Sequence, residues 1–234
     1  MRGRATRRYS KEVRHRIRGH LFKKTGGAYV EGGGSLYDYR KNYNGDTVVF
    51  RGGRKEGRPE CFLLLIDPDG SAVLQSLRQA PDCSMDPNGS GRSMVLAAVE
   101  LARKSGAHTL TLTDNSKKYL ADGESSFRLA NMVFLTSGRT WYESIVDGLR
   151  PLEKAEKIEM WRQRVHTNLW GDVEARLRRL APSFPSGLGG PTERAMDVLR
   201  RCKAMPTFFA EYEDELLNAS DIGSLYGTDW TVAL

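Results

Sequence analysis

The chain has 234 residues, of which 39% are hydrophobic and 28% are charged, and its formal net charge at pH 7 is +7. This length is enough for one or two domains whose hydrophobic cores need neither a disulfide nor a metal. The longest apolar run, residues 61–66, has the length of a strand and falls well short of the roughly 18 residues of a membrane span. We therefore expect a soluble globular protein without a membrane span.

The positive charge is concentrated at the N-terminus. Residues 1–24 carry ten Lys or Arg and one acid, a local charge of +9, whereas the remaining 26 bases and 28 acids give the rest of the chain −2. A basic arm of this kind attracts polyanions such as nucleic acid, anionic lipid or an acidic protein surface. The arm residues that we expect to make such contacts are Arg2, Arg4, Arg7, Arg8, Lys11, Arg14, Arg16 and Arg18.

The arm also has a hydrophobic period. Val13, Ile17 and Leu21 recur every four residues, which predicts a short amphipathic helix. Such a helix either binds a partner or packs its apolar stripe on the rest of the protein, and the sequence leaves both open. A mitochondrial presequence, also rich in Arg and poor in acids, is a minor alternative.

The cysteines and the N-terminus bear on the compartment. Cys61, Cys83 and Cys202 are far apart and odd in number, which fits neither a zinc site nor a disulfide framework. The basic N-terminus also lacks the apolar segment of a secretory signal. We therefore expect reduced thiols, no bound metal and an intracellular protein, cytoplasmic or nuclear, with the virion as an alternative.

Local patterns predict the following elements in chain order. Residues 25–58 are Gly-rich, with Thr47–Phe50 as the one clear strand and the glycines at 32–34 in a loop. A β-rich segment from Glu60 to Ile66, the turn sequence of residues 67–70 and the return from Ser71 to Leu77 predict a β-hairpin. Its first strand is continuously apolar and is therefore predicted to be central. A helix over about 92–104 follows, capped by Gly106, and then a strand over 108–113 that pairs in parallel.

Further elements follow after this strand. Residues 114–116 end the strand at a position where α/β sheets commonly bind ligands. Helices are predicted over about 126–137 and 152–180, and a linker over 182–191. A helix opens at 192–194, is interrupted at Pro206 and resumes over 208–217, and residues 229–234 form a last strand.

The sequence Gly89-Ser90-Gly91 precedes the first of these helices. Glycines allow backbone amides to approach a phosphate, and a helix N-terminus adds roughly half a positive charge. Arg92 supplies a full positive charge. The alternative is an ordinary tight turn into a helix.

The order of hairpin, glycine loop, Ala-rich helix, strand, helix and Tyr142-Glu143 resembles the GNAT superfamily of N-acetyltransferases over about residues 60–150. The loop resembles the pattern that binds the pyrophosphate of acetyl-CoA in that family, with Asp86 in place of the usual first Gln or Arg. The resemblance implies a GNAT-like α/β (α+β) mixed sheet. It also implies a domain over residues 25–150, between the arm of residues 1–24 and a helical C-terminal extension over 151–234.

The resemblance also implies roles for particular residues. Gly89, Ser90, Gly91 and Arg92 would bind the pyrophosphate of acetyl-CoA, and Tyr142 would protonate the departing thiolate. Glu60 and Asp82 are candidates for the general base. The segment from Leu129 to Tyr142 is also similar to proteins of large double-stranded DNA viruses. The alternative function is thus a non-enzymatic viral structural or packaging protein whose arm binds nucleic acid or an acidic partner.

Overall fold

The computed structural model describes residues 28–32, 35–44, 47–52, 61–77 and 91–234. Within these residues the strands are β1 (Ala28–Gly32), β2 (Ser35–Asn44), β3 (Thr47–Gly52), β4 (Phe62–Ile66), β5 (Ser71–Leu77), β6 (Thr109–Asp114), β7 (Lys117–Tyr119), β8 (Ser126–Arg128), β9 (Arg150–Pro151) and β10 (Thr228–Ala233). The helices are α1 (Arg92–Lys104), α2 (Leu129–Ser137), α3 (Ala155–Thr167), α4 (Trp170–Leu180), α5 (Ala195–Arg201) and α6 (Met205–Ala219).

The strands form two sheets. The larger has the order β1-β2-β3-β4-β5-β6-β10-β9, and β7 pairs with β8 in the smaller. The pairs β1/β2, β2/β3, β3/β4, β4/β5, β9/β10 and β7/β8 are antiparallel. The predicted α+β class is confirmed at this level, and the specifically GNAT-like arrangement stays a prediction.

The described residues divide into two compact units, one of those up to Thr111 together with 233–234 and one of residues 112–232. In the first unit the predicted hairpin is confirmed, because β4 and β5 pair in antiparallel orientation. In the turn that joins them, Gly70 has a left-handed backbone (φ 82°) and donates a hydrogen bond of 3.0 Å to the Asp67 carbonyl. β4 lies between β3 and β5, as its apolar sequence predicts. Helix α1 has the predicted bounds and buries Met94, Leu101 and three alanines.

In the second unit, residues 112–232, the core comes mainly from helices. Ile158, Trp161 and Val165 of α3 are buried, as are Val173 and Leu177 of α4. The spacing of three and four residues on which a helix over 152–180 was predicted places these five residues inward, as the structure confirms. The same spacing places Leu169 inward, but Leu169 is 41% exposed.

The predicted helix over 152–180 is divided into two helices next to Leu169. Leu169 has an extended backbone (φ −87°, ψ 144°) and forms an isolated β-bridge with Arg194. Trp170 donates a backbone hydrogen bond of 2.7 Å to the Glu193 carbonyl. The prediction of one continuous helix was wrong because a segment more than twenty residues away supplies these backbone partners.

Several other predicted boundaries also differ. Residues 25–58 contain β1 and β2 in addition to the predicted strand. Helix α2 begins at Leu129 and not at 126, because residues 126–128 pair with β7. The helix predicted to open at 192–194 begins at Ala195, and its predicted interruption lies at residues 202–204. Pro206 lies just after this break, in the first turn of α6, where its missing N–H costs no hydrogen bond. The last strand is confirmed as β10.

The cysteines differ from expectation as well. Cys61 is disulfide-bonded, so the prediction of three reduced thiols was wrong, whereas Cys202 is a free cysteine. Sequence spacing could not decide this, because a disulfide depends on the distance between two side chains in the fold. The cysteines therefore no longer support an intracellular compartment.

Candidate functional site

Of the predicted cofactor-binding residues, Gly91 and Arg92 are described. Gly91 is the N-cap of α1 and has a left-handed backbone with φ 66° and ψ −24°. Arg92 opens the helix and is exposed, and the first turn contains no acidic side chain. Glycine adopts this left-handed backbone without the steric cost of a Cβ atom.

The remaining predicted residues of this site lie outside the described part of the chain. They are Gly89 and Ser90 of the loop, Asp86, the two candidate bases Glu60 and Asp82, and all the basic residues of the arm. The described residues of the predicted site belong to different units, Gly91 and Arg92 to the first and Tyr142 to the second. Each part of the site is described within its own unit.

Tyr142 lies in a tight turn that follows α2. Thr140 and Glu143 cap this turn reciprocally, because the backbone N–H of Thr140 donates to Glu143 Oε2 at 2.7 Å and the N–H of Glu143 donates to Thr140 Oγ1 at 3.2 Å. The Val146 N–H closes the turn on the Tyr142 carbonyl at 2.9 Å. The pattern T-x-x-E is a capping box. This local signal is visible in the sequence, but it was not among the predicted features.

The Tyr142 side chain is largely buried, with 5% of its surface exposed. Its ring packs edge-on against Trp141, with 4.9 Å between the ring centroids. Burial, and secondarily the nearby charge of Asp114, raise the pKa of the Tyr142 hydroxyl well above its usual value. The hydroxyl therefore stays protonated throughout the physiological pH range.

Asp114 ends β6 and is completely buried. Its Oδ1 accepts hydrogen bonds from the backbone N–H of Ser116 at 3.1 Å and from the Ser116 hydroxyl at 2.5 Å. Among the described residues, none donates a hydrogen bond to Oδ2. Burial raises the pKa of Asp114 to about 6, the Ser116 hydrogen bonds oppose this shift, and the charge of Glu143 adds a small increase.

Glu143, whose charge acts on Asp114, also lines a surface pocket. Its Oε1 accepts a hydrogen bond of 2.8 Å from Nη2 of Arg162, whose Nε lies 3.6 Å from Glu159. The Glu143 and Arg162 side chains are only 10% and 26% exposed. Both line a pocket of about 630 Å³, together with the apolar residues Leu149, Pro151, Ile158 and Met160.

These residues bring together three ionisable groups with different properties. The Tyr142 hydroxyl holds its proton, Asp114 changes protonation near neutral pH, and Glu143 is engaged by Arg162. A phenol that holds its proton near a carboxyl group with a raised pKa is a common feature of sites that transfer protons. The sequence pointed to Tyr142 and to the end of β6, but not to Arg162, which is remote in sequence and has no local signal.

Two further searches of the described residues gave negative results. No group of three or more His, Cys, Asp or Glu side chains in these segments could hold a metal ion. Among the helices that the structure describes, none combines the length and the apolar character needed to cross a membrane.

Comparison with known proteins gave no match. No protein-family model matches the chain, and no curated protein or solved structure matches it at a significant level.

Proposed function

We propose that the chain is an acyl-CoA-dependent N-acetyltransferase-like protein that binds the pyrophosphate of CoA at the start of α1. The observation that carries this proposal is the left-handed backbone of Gly91 directly before a 13-residue helix. Glycine adopts this backbone without the steric cost of a Cβ atom. The partial positive charge of the helix N-terminus then favours an anion at this position.

The residues around Gly91 fit a pyrophosphate. The first turn of α1 contains no carboxylate that would repel an anion, and the exposed Arg92 adds positive charge. Together with the predicted Gly89 and Ser90, these residues would hold the pyrophosphate. When bound, acetyl-CoA would supply the activated acyl group.

The proposal also assigns a role to Tyr142. By the resemblance, this residue gives the proton that the leaving thiolate takes up. Burial and the neighbouring Asp114 raise the pKa of its hydroxyl, which keeps the proton in place but makes the group a weaker acid. The raised pKa therefore gives no support to this role, which rests on the resemblance.

Calorimetric titration with acetyl-CoA tests the proposal. We expect binding to the unmutated protein and none to Gly91→Val, because the new side chain keeps the phosphate from the backbone. Gly106→Val is the matched control, since Gly106 also has a positive φ (85°), lies at the other end of α1 and has no atom within 4 Å of an added Cβ. Both variants should lose stability, and only Gly91→Val should lose binding.

Two results would contradict the proposal. One is the absence of acetyl-CoA binding, which is also visible as an unchanged melting temperature. Ligand at 100 times its dissociation constant would stabilise the fold by about 2.7 kcal/mol. The other is equal loss of binding in both glycine variants, which would place the effect in the folding of α1.

A non-enzymatic role is the second candidate. The observations that favour it are the burial of Tyr142 and the charge of +9 on residues 1–24. In this reading Tyr142 is a packing residue of the capped turn, and the basic arm binds nucleic acid or an acidic partner. The two candidates differ in the acetyl-CoA titration, which would be negative for the second.

A further inference from the structure

The hairpin of β7 and β8 places basic and aromatic side chains on one face. Lys117 lies directly opposite Arg128 in the register, and Tyr119 lies opposite Ser126. Residues directly opposite each other in an antiparallel pair point to the same side of the sheet. Phe127, which points to the other side, is buried, whereas Lys117 and Tyr119 are exposed.

A second aromatic residue lies beside this pair of cations. The Lys117 ammonium is 5.3 Å from the centroid of the Tyr226 ring, and the Arg128 guanidinium carbon is 5.4 Å from it. Both contacts have the geometry of cation–π interactions. We call Lys117, Tyr119, Arg128 and Tyr226 the hairpin surface.

The two cations of the hairpin surface differ in their partners. Arg128 lies 3.4 Å from Asp214 and 4.0 Å from Glu213, whose side chain is only 13% exposed, so its charge is largely compensated. Lys117 lies directly opposite Arg128 and forms no ion pair with any described residue. A phosphate would supply Lys117 with the counter-charge that these residues do not.

Tyr119 offers a flat ring to a ligand. It is 63% exposed, the largest exposure among the large hydrophobic side chains that the structure describes. An exposed ring next to cations that can contact phosphates is the combination that binds single-stranded nucleic acid, because every base can stack on an aromatic face. In a duplex the bases stack on one another, and Tyr119 would find no base to contact.

We propose that the hairpin surface binds single-stranded nucleic acid. Lys117 contacts a phosphate, Tyr119 stacks on a base, and Tyr226 positions the Lys117 ammonium. This inference is independent of CoA binding and of the basic arm, since it depends on residues of the second unit alone.

Fluorescence anisotropy of the full chain with a labelled oligothymidine of about twelve nucleotides, at two salt concentrations, tests the proposal. Tyr119→Ala should lower the affinity roughly 5- to 150-fold, the range of a lost base–aromatic stack, and Tyr119→Trp should keep it. Lys117→Ala should weaken binding and reduce the slope of log K against log salt by about 0.7, the value for one phosphate contact on a single strand.

Two matched controls separate this surface from general charge and hydrophobicity. Lys157→Ala removes another ammonium that lies over an aromatic ring, 5.1 Å from the centroid of Trp161. Leu152→Ala truncates another exposed apolar side chain, 54% exposed. Both should bind as the unmutated protein does, and circular dichroism should show every variant to be folded.

The following outcomes would overturn the proposal. If Tyr119→Ala and Lys117→Ala bind as tightly as the unmutated protein, another segment such as the arm makes the contact. If Lys157→Ala loses as much affinity as Lys117→Ala, only net charge matters. Binding to phosphatidylserine vesicles without binding to the oligonucleotide, or to a duplex without any effect of Tyr119, would assign the surface to a different partner.

Discussion

The two oxygens of the buried Asp114 carboxyl group differ in their hydrogen bonds. Oδ1 accepts two hydrogen bonds from Ser116, whereas no described residue donates to Oδ2. Glu143 faces the same carboxyl, but its charge is offset by Arg162, so burial is the main cause of the raised pKa. With a pKa of about 6, Asp114 is mostly protonated below that pH and mostly ionised at pH 7.

This difference predicts a pH dependence of stability. Asp114 has a pKa of about 6 when folded and about 3.9 when unfolded, so the folded state binds more protons between these values. The free energy of unfolding should therefore rise as the pH falls from 7 toward 4, by up to about 3 kcal/mol. Asp114→Asn, which carries no titrating group, should lack this contribution.

Urea denaturation at pH 5 and pH 8 measures this effect in both proteins. Glu213, whose pKa burial also raises, is present in both, so the difference between them isolates Asp114. We expect Asp114→Asn to exceed the unmutated protein in stability at pH 8 and to approach it at pH 5. An identical pH dependence in the two proteins would contradict the assignment.

Tyr142 allows a test at the level of one hydroxyl group. If it is the general acid of an acyl transfer, Tyr142→Phe should lower kcat by about a hundredfold or more and leave acetyl-CoA affinity unchanged. If it is only a packing residue, the variant should change the melting temperature and not the rate. Steady-state kinetics and a thermal melt decide between the two roles, and an unchanged rate with an unchanged melting temperature would reject both.

At the scale of elements, Asn131 connects α2 to two other segments. Its Nδ2 donates to Glu213 of α6 at 2.6 Å and to Ser224 at 3.1 Å, and its Oδ1 accepts from the Leu225 N–H at 2.8 Å. The side chain is only 1% exposed. A buried amide with three partners holds the elements in one arrangement, because each lost partner leaves a buried polar group unsatisfied.

Asn131→Ala should therefore lower the free energy of unfolding by about 2 kcal/mol or more, since it leaves the buried Leu225 N–H without its acceptor. Chemical denaturation measures the change. Asn218→Ala on the exposed side of α6 is the control and should stay within about 0.5 kcal/mol. A loss for Asn131→Ala no greater than that of the control would show that water replaces these hydrogen bonds.

At the scale of the whole molecule, the charge is divided between the arm and the rest of the chain. Deleting residues 1–24 removes a charge of +9 and leaves −2. If the arm contacts the phosphates of duplex DNA with six to nine of its charges, the slope of log K against log salt should be about −5 to −8. The truncated chain should bind duplex DNA far more weakly, and sequence should matter little for the full chain.

A gel-shift titration at two salt concentrations, with and without residues 1–24, measures this prediction. The rival is that Val13, Ile17 and Leu21 pack on the rest of the protein or on a partner. Truncation would then lower the melting temperature or disrupt assembly, and duplex binding would be weak in both proteins. Duplex binding that survives truncation, or that does not depend on salt, would contradict a role of the arm.

The sequence by itself determined the elements whose signals are local. The turn residues 67–70 predicted the β4–β5 hairpin, and the helical period together with Gly91 and Gly106 predicted both ends of α1. Burial in α3 and α4 also followed from the period of three to four residues. These features were predictable because a turn, a cap or an amphipathic face depends on residues within a few positions of one another.

Only the tertiary structure decided the rest. The break at Leu169 depends on Arg194, the raised pKa of Asp114 depends on its burial, and the role of Asn131 depends on partners more than eighty residues away. In the candidate site, Tyr142 was predicted from a motif, whereas Arg162 emerged only from its contact with Glu143. Burial and hydrogen bonding between distant residues fix these properties, and a pattern read along the chain contains no measure of distance in space.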